Sequence, residues 1–333
     1  MIVMAALLGV SYLSFIINPA KVWFITLFGL AFFPLLAVNV VLFVWAIVRR
    51  SKSFLIPLLV ILPCIFFVNR YMRFPSSQVS DQETSDLKVV TYNLGRFSLS
   101  SNKDSIFTYL KKQDADIICL QEFYLKKGKL RNYLKEHFPG YHVEYYMYSG
   151  DRGSFGNVTL SKMPVSDKGV IKFDKSANLA IYTDYKVGDR HFRVYNCHFE
   201  SYNISFAGLA KAIFRVDREV FTETGIKMKR SISRRPKQVD KVFSHIESCP
   251  HKAFVCGDFN DTPMSYTYYR MTRGRKDAFV KGGSGFGATY SYLWPLLRID
   301  YVLVPKGYKT INSEIHKVKF SDHYPVLAEI KFN

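Results

Sequence analysis

From Met1 to Phe74 the sequence contains no Asp or Glu, although the chain of 333 residues carries 27 acidic side chains further on. Six basic residues interrupt this stretch, Lys21, Arg49, Arg50, Lys52, Arg70 and Arg73. Three apolar runs fill it: Met1–Ile17, Val22–Val48 and Phe54–Val68. The middle run is long enough for a hydrocarbon core of roughly 30 Å, which takes about 20 residues, and the outer two are near the short limit. The split predicts a transmembrane region over 1–74, with two or three helices, followed by a soluble region. Arg49, Arg50 and Lys52 form the most basic loop, which the positive-inside tendency places in the cytoplasm. The expectation is an integral plasma (inner) membrane protein whose later residues face outside the cytoplasm.

Residues 75–87, with Ser, Gln, Asp, Glu and Thr, read as a polar linker. Beyond Phe74, 40 basic and 27 acidic side chains leave a formal charge of +13. Such a field suits polyanionic substrates or anionic membrane surfaces. The five cysteines, Cys64, Cys119, Cys197, Cys249 and Cys256, form no CxxC pair and read as small core residues. From residue 88 to 333, short β-branched runs alternate with helical periodicity, which predicts a mixed α/β domain. The clearest strands are Lys88–Tyr92, Ile117–Leu120, Val158–Ser161, Phe192–Cys197, Ala253–Cys256, Ile299–Val304 and Val326–Ile330. Helices are expected over Asp104–Lys112, Leu130–His137 and Lys237–Ile246. Ser205–Lys237 reads as a long insertion over one rim, combining an amphipathic run at Leu209–Phe221 with the basic cluster Lys227, Lys229, Arg230, Arg234, Arg235 and Lys237.

Strand after strand ends in a side chain able to bind a metal or move a proton. Asn93 follows Thr91-Tyr92, and Gln121-Glu122 follow Ile118-Cys119-Leu120. His198 closes Tyr195-Asn196-Cys197-His198, and Gly257-Asp258-Phe259-Asn260-Asp261 closes the next strand. Arg298-Ile299-Asp300-Tyr301 and Ser321-Asp322-His323-Tyr324-Pro325 complete the series. Each has an ordinary explanation alone: Asn93 as a turn residue, Glu122 as a solvated strand end, His198 as a core histidine. Asp300 is harder to explain away, because a carboxylate inside an apolar strand is costly unless it is paired.

The order Asn, Gln-Glu, Asn-x-His, Gly-Asp-Phe-Asn, Arg-Ile-Asp-Tyr, Ser-Asp-His-x-Pro resembles the endonuclease/exonuclease/phosphatase superfamily, which includes pancreatic deoxyribonuclease, apurinic endonucleases, sphingomyelinases and inositol-polyphosphate phosphatases. The resemblance runs from about Lys88 to Lys331, and Gly257–Tyr269 resembles a bacterial membrane-linked branch. It implies a four-layer α/β sandwich, two β-sheets flanked by helices, with the site at one edge and a catalytic domain over 88–333. It also implies a phosphodiesterase or phosphatase dependent on magnesium, with manganese as the alternative. Glu122 is then the main metal ligand, with Asn93 and Asp322 near it. Asp258 orients or deprotonates the attacking water, Asn260 holds that water or a phosphate oxygen, and His323 contacts the phosphoryl group. Asp300 orients that imidazole, and His198 is a further donor. Gly95 stands where apurinic endonucleases have a second carboxylate, which argues against abasic-site cleavage. Arg152 and Lys162 are candidate phosphate contacts, with solvated surface charge as the plainer reading.

Two substrate classes remain open: nucleic acid, which suits the +13 charge, and a lipid head group within reach of a tethered domain. A binding protein with a decayed site is disfavoured, since Glu122, Asp258, Asn260, Asp300, Asp322 and His323 are all present. The glycine-rich Gly282–Gly287 lacks a P-loop ending, so no nucleotide cofactor is expected, and no protein partner is inferred.

Overall fold

The structure, a computed structural model, describes residues 1–74, 84–95, 98–126, 130–151, 153–202 and 218–332. Four helices open the chain: α1 (Ile2–Leu13), α2 (Ile25–Leu30), α3 (Phe32–Val48) and α4 (Leu55–Ile61). There follow β1 (Met72–Arg73), β2 (Leu87–Asn93), α5 (Ser98–Gln113), β3 (Ile117–Leu125), α6 (Leu130–His137), β4 (His142–Gly150), β5 (Gly153–Ser161), β6 (Val165–Lys172), β7 (Leu179–Val187) and β8 (Arg190–His198). The remainder comprises α7 (Arg218–Glu247), β9 (Lys252–Asp258), α8 (Tyr266–Thr272), β10 (Arg275–Asp277), α9 (Ala278–Gly282), β11 (Gly285–Phe286), β12 (Asp300–Pro305), β13 (Tyr308–Ile315) and β14 (Val326–Phe332). Two compact units result: Met1–Phe67 with Glu200–Lys241 and Asn260–Arg270, and Val68–Phe199 with Val242–Phe259 and Met271–Asn333.

The larger unit holds two six-stranded sheets, ordered β10-β12-β9-β8-β7-β6 and β13-β14-β2-β3-β5-β4. Each is antiparallel except for one central parallel pair, β8 with β9 and β2 with β3. Alternation along the strands sends one set of side chains between the sheets. Val89, Cys119, Val326 and Ala328 meet Val194, Phe254, Cys256 and Val302 there, in a fully buried apolar core. The opposite face of the second sheet buries Val90, Ile118, Leu120 and Val158 against Ile106, Leu110 and Leu134 of α5 and α6. Tyr195, on the outer face of the first sheet, hydrogen-bonds His245 of α7 at 2.8 Å. The mixed α/β architecture with two flanked sheets matches expectation.

A polar clasp crosses the apolar core. Asn196 of β8 donates through Nδ2 to the carbonyls of Leu120 (3.2 Å) and Val158 (2.9 Å), and its Oδ1 accepts from Gln121 Nε2 at 2.7 Å. Asn157 Nδ2 donates to the Asn196 carbonyl at 3.1 Å. Gln121 and Asn196, both parts of the ordered series, therefore join the two sheets.

The smaller unit differs from the expectation of membrane-spanning helices. Among the described residues, no helix is long and apolar enough to cross a membrane. The longest apolar helix, α3, has 17 residues and so reaches about 25 Å, short of a roughly 30 Å core. The run at 22–48 is broken at Ala31, whose ψ of 3° leaves the helical region. The run at 54–68 is broken after Ile61, where short 3-10 turns begin with Pro63 at their start, and a proline nitrogen cannot continue the hydrogen-bond ladder. Gly29 lies so close to Ser14 Oγ and the Met264 carbonyl that a Cβ would collide with both.

The expected insertion at Ser205–Lys237 is corrected in part. From Arg218 the chain is helical, and α7 runs on through the segment expected as a separate helix at Lys237–Ile246. Arg235, placed by sequence in a basic cluster, is buried, donating to the Glu200 carbonyl at 2.7 Å and pairing with Asp261 at 3.1 Å. Most of the amphipathic run Leu209–Phe221 lies outside the described residues, as do 75–83 of the expected linker. Strands β4, β6, β7, β10 and β13 were not legible as strands in the sequence.

Asn196→Ala removes the acceptor of Gln121 and leaves buried amides unsatisfied between the sheets, a loss of about 3 kcal/mol. Urea denaturation of the full chain should show the midpoint falling accordingly.

Candidate active site

The apolar series between the sheets ends, at one rim, in polar side chains of the same phase. Val194, Asn196 and His198 share a face of β8; Phe254, Cys256 and Asp258 share one of β9; Asp300, Val302 and Val304 share one of β12. In register, His198 lies opposite Asp258, and Asp258 opposite Asp300, so three strands deliver three ionisable groups to one row. Asn93 ends the equivalent series of β2.

Asp258 is the hub and is almost fully buried. Its Oδ2 accepts from Asn93 Nδ2 at 2.9 Å and lies 3.7 Å from His198 Nε2 and 4.0 Å from His323 Nε2. Asn93 is held in turn, its Oδ1 accepting from the Gly95 amide at 2.9 Å. Gly257, at φ 131, is obligatory before this aspartate, since any Cβ would strike the Cys197 carbonyl of the neighbouring strand.

His323 reaches the row from the loop before β14. Its Nδ1 is 2.9 Å from Asp300 Oδ2, and both groups are buried. Burial alone lowers the imidazole pKa, but Asp300 and Asp258, with Asp322 beyond them, outweigh it and raise the value to about 10. The surrounding carboxylates thus favour the charged form of His323, whose Nδ1 then donates to Asp300. Ser321 organises the loop: its Oγ donates to the Asn93 carbonyl at 3.0 Å and accepts from the His323 amide at 3.2 Å.

Glu122 arrives by a different route. The β3–β5 register slips between Leu120 and Phe123, and Glu122 sits in the bulge at φ 51. A glutamate rarely adopts that conformation, and such strain recurs at functional sites. The bulge points the carboxylate to within 3.6 Å of His198 Nε2.

Tyr290 is a site residue that the sequence did not announce. It bridges His323 as an isolated β-pair, with the rings 5.3 Å apart and at 71°. Its hydroxyl pKa rises to about 12, through burial and then the nearby Asp322, Tyr292, Asp258 and Glu122. One phenol thus senses three carboxylates of the series. No motif surrounds Tyr290 in the sequence. Asn260, at φ 52, belongs to the smaller unit and follows Asp258 by two residues.

Other expectations fall elsewhere. Lys162 lies beside the start of β3, the opposite end from Glu122, where its Nζ pairs with Asp114 at 2.8 Å. It is a surface ion pair and not part of the rim. Arg152 lies outside the described residues. Arg298 is buried and bidentate to Asp277, at 2.7 and 2.6 Å, which makes it a support for the strand carrying Asp300.

A family model described as Endonuclease/Exonuclease/phosphatase family matches residues 90–323. The chain belongs to this family. The solved structures bear out the fold of the endonuclease/exonuclease/phosphatase family. A family protein from Beutenbergia cavernae is 18% identical, covering 75% of this chain and 72% of its own, with a TM-score of 0.57. The catalytic domain of human Nocturnin with bound sulfate is 16% identical over 74% of this chain and 94% of its own, at 0.54. A mannosyl-6-phosphatase from Bacteroides thetaiotaomicron is 19% identical over 74% of this chain and all of its own (100%), at 0.52. No curated protein matches. Residues 1–71 match a model described as a domain of unknown function.

Members of the endonuclease/exonuclease/phosphatase family act on phosphoester bonds and generally depend on a divalent metal. The donor set here fits a hard cation, since the available ligands are carboxylate and amide oxygens. Asp258, Asp300 and His323 lie close enough to share an ion. The Glu122 carboxylate, one third exposed, lies at the same rim, 3.6 Å from His198 Nε2.

The charged His323 makes a stability prediction for the metal-free chain. Its folded pKa of about 10 exceeds its unfolded value of about 6.5, so the contribution is complete below pH 6.5 and lost as pH climbs through 10. With chelator present, urea midpoints should fall across that window in the parent chain and fall less in His323→Gln.

Proposed function

We propose that this chain is a divalent-metal-dependent phosphodiesterase acting on nucleic acid and held at a membrane by the segment Met1–Phe74. The observation that carries the chemistry is the buried Asp258 carboxylate, met by Asn93, His198 and His323 within 4.0 Å. Glu122, Asn93 and Asp322 would hold the metal. When bound, the cation neutralises phosphoryl oxygens and lowers the barrier to attack.

The chain's own residues supply the rest. Asn93 fixes one oxygen of Asp258, which leaves the carboxylate oriented to accept a proton from the attacking water. Asn260, two residues on, holds that water or a phosphoryl oxygen. His323, kept charged by Asp300, donates to the phosphoryl group and stabilises its developing charge. Asp258, so oriented by Asn93, is the general base in this reading. His198 donates from the other side. Magnesium is the preferred ion for a site of this kind, with manganese able to replace it.

Nucleic acid is favoured by the +13 formal charge of the chain beyond Phe74. A lipid head group is the second reading, supported by the smaller unit. Val41, Val44, Trp45 and Val48 of α3 and Leu59 of α4, with Ile65 and Phe66 beyond it, are all more than half exposed, an apolar surface of the kind that meets a membrane or a protein partner. These helices are too short to be the expected spans singly, so we read 1–74 as a helical region packed within one bilayer. The catalytic domain over 88–333 faces outside the cytoplasm in this reading, because Arg49, Arg50 and Lys52 stay inside.

The test uses full-length protein in detergent with plasmid DNA, phospholipid vesicles and bis(p-nitrophenyl) phosphate. Magnesium-dependent turnover is expected, abolished by chelator and lowered by roughly 100-fold or more in Asp258→Asn, the usual scale for a general base. Turnover that survives chelator or the substitution would sink the mechanism, and preference for phospholipid would favour the second reading. Membrane attachment is checked separately by flotation with liposomes: the full chain should rise with the vesicles, and protein left at the bottom of the gradient would end that part of the proposal.

A further inference from the structure

The second sheet carries a row of aromatic side chains that leads away from Glu122. Tyr124 of β3 pairs in register with Phe155 of β5, and Phe155 pairs with Tyr148 of β4. Their neighbours Phe123 and Met147 pack on the opposite, helix-covered face, so alternation directs all three rings toward the other sheet. All three rings are half-buried. Tyr148 lies 6.1 Å from Phe155, tilted by 40°, and 5.3 Å from Tyr146, edge to face. Four aromatic residues thus form a strip that starts two residues from Glu122 and crosses two strand spacings, roughly 10 Å.

The facing sheet adds a cation. Lys172 ends β6 in the register row Lys172–Leu179–His198, two strands from the site histidine. Its ammonium stands 4.4 Å over the Tyr146 ring. Beyond Tyr146 the edge opens into a cleft of about 390 Å³, with Tyr145, Tyr182 and the Glu144–Lys168 ion pair among its walls.

We propose that Tyr124, Phe155 and Tyr148 form a stacking platform for the unpaired bases of a single-stranded nucleic acid whose backbone is met by Lys172, the cation held over Tyr146. The proposal rests on the phosphodiesterase reading and names the form of nucleic acid the site takes. A row of ring faces beside a cation is what single-strand binding uses: each base has a π-face, and the lysine meets the phosphate between bases. In a duplex those faces are already stacked on one another, so the strip selects unpaired strands.

Binding is measured without turnover, in chelator, using the full-length chain and a fluorescein-labelled ten-residue oligothymidylate. Tyr148→Ala should weaken binding roughly tenfold, the scale of one stacked base, and Tyr148→Trp should restore it, which rules out misfolding as the cause. An oligomer of the same length with abasic sugars should bind the parent chain at least as weakly as the oligothymidylate binds Tyr148→Ala, because it lacks every stacked base. Equal binding of thymidylate and abasic oligomers, or unchanged binding in Tyr148→Ala, overturns the platform. Hydrolysis of bis(p-nitrophenyl) phosphate by the parent chain and by Tyr148→Ala is followed separately, with magnesium and without chelator. Loss of the platform with that hydrolysis intact leaves the phosphodiesterase reading standing, and its absence from the parent chain removes the reading itself.

Discussion

Two sheet faces pressed together exclude water from the space between them, and any polar group at the end of that space must find its partner in the protein. The site is built at this exit. Asp258 and Asp300 continue the same alternating series that places Phe254, Cys256, Val302 and Val304 in the core, so the fold itself carries them into a poorly solvated row. Two buried carboxylates side by side are costly. His323 offsets that cost by standing between them as a cation. Asn93 and His198 complete the surroundings of Asp258. What stabilises the carboxylates in the folded chain is thus also what fixes their positions at the rim.

Close approach of the strands has its own requirements. Gly257 permits β9 to come so near β8 that His198 and Asp258 fall opposite each other. The bulge turns the Glu122 carboxylate out of the ladder, and the left-handed backbone there is held by the flanking paired strands. The amide clasp of Gln121, Asn157 and Asn196 sits immediately inside the rim. It fixes the separation of the two sheets and therefore the distance across which Asn93 and Glu122 of one sheet face His198, Asp258 and Asp300 of the other.

Much of the larger unit was legible in the sequence. The buried strands β2, β3, β8, β9, β12 and β14 carry continuous β-branched and apolar runs, and α6 coincides with its expected bounds. The edge strands β4, β6 and β13 were hidden, because their half-solvated faces mix Tyr, Ser, Lys and Asp in ways that loops share. Tyr290 was hidden for a related reason: it reaches His323 through a single bridge outside any strand. In the smaller unit, the apolar runs were plain, but helix lengths depended on Pro63 and on the break at Ala31, which hydropathy does not weigh.

The sequence alone determined the contrast between an acid-free N-terminal region and a basic remainder, and the order of polar residues at the strand ends, because composition and alternation are properties of short stretches of chain. Only the tertiary structure decided which of those residues meet. Asn93 and Asp258 stand 165 positions apart, and their 2.9 Å hydrogen bond exists because two sheets pack face to face. The charge on His323, the part played by Tyr290 and the aromatic row beside Glu122 have the same origin. Each depends on distances between strands that no local pattern encodes.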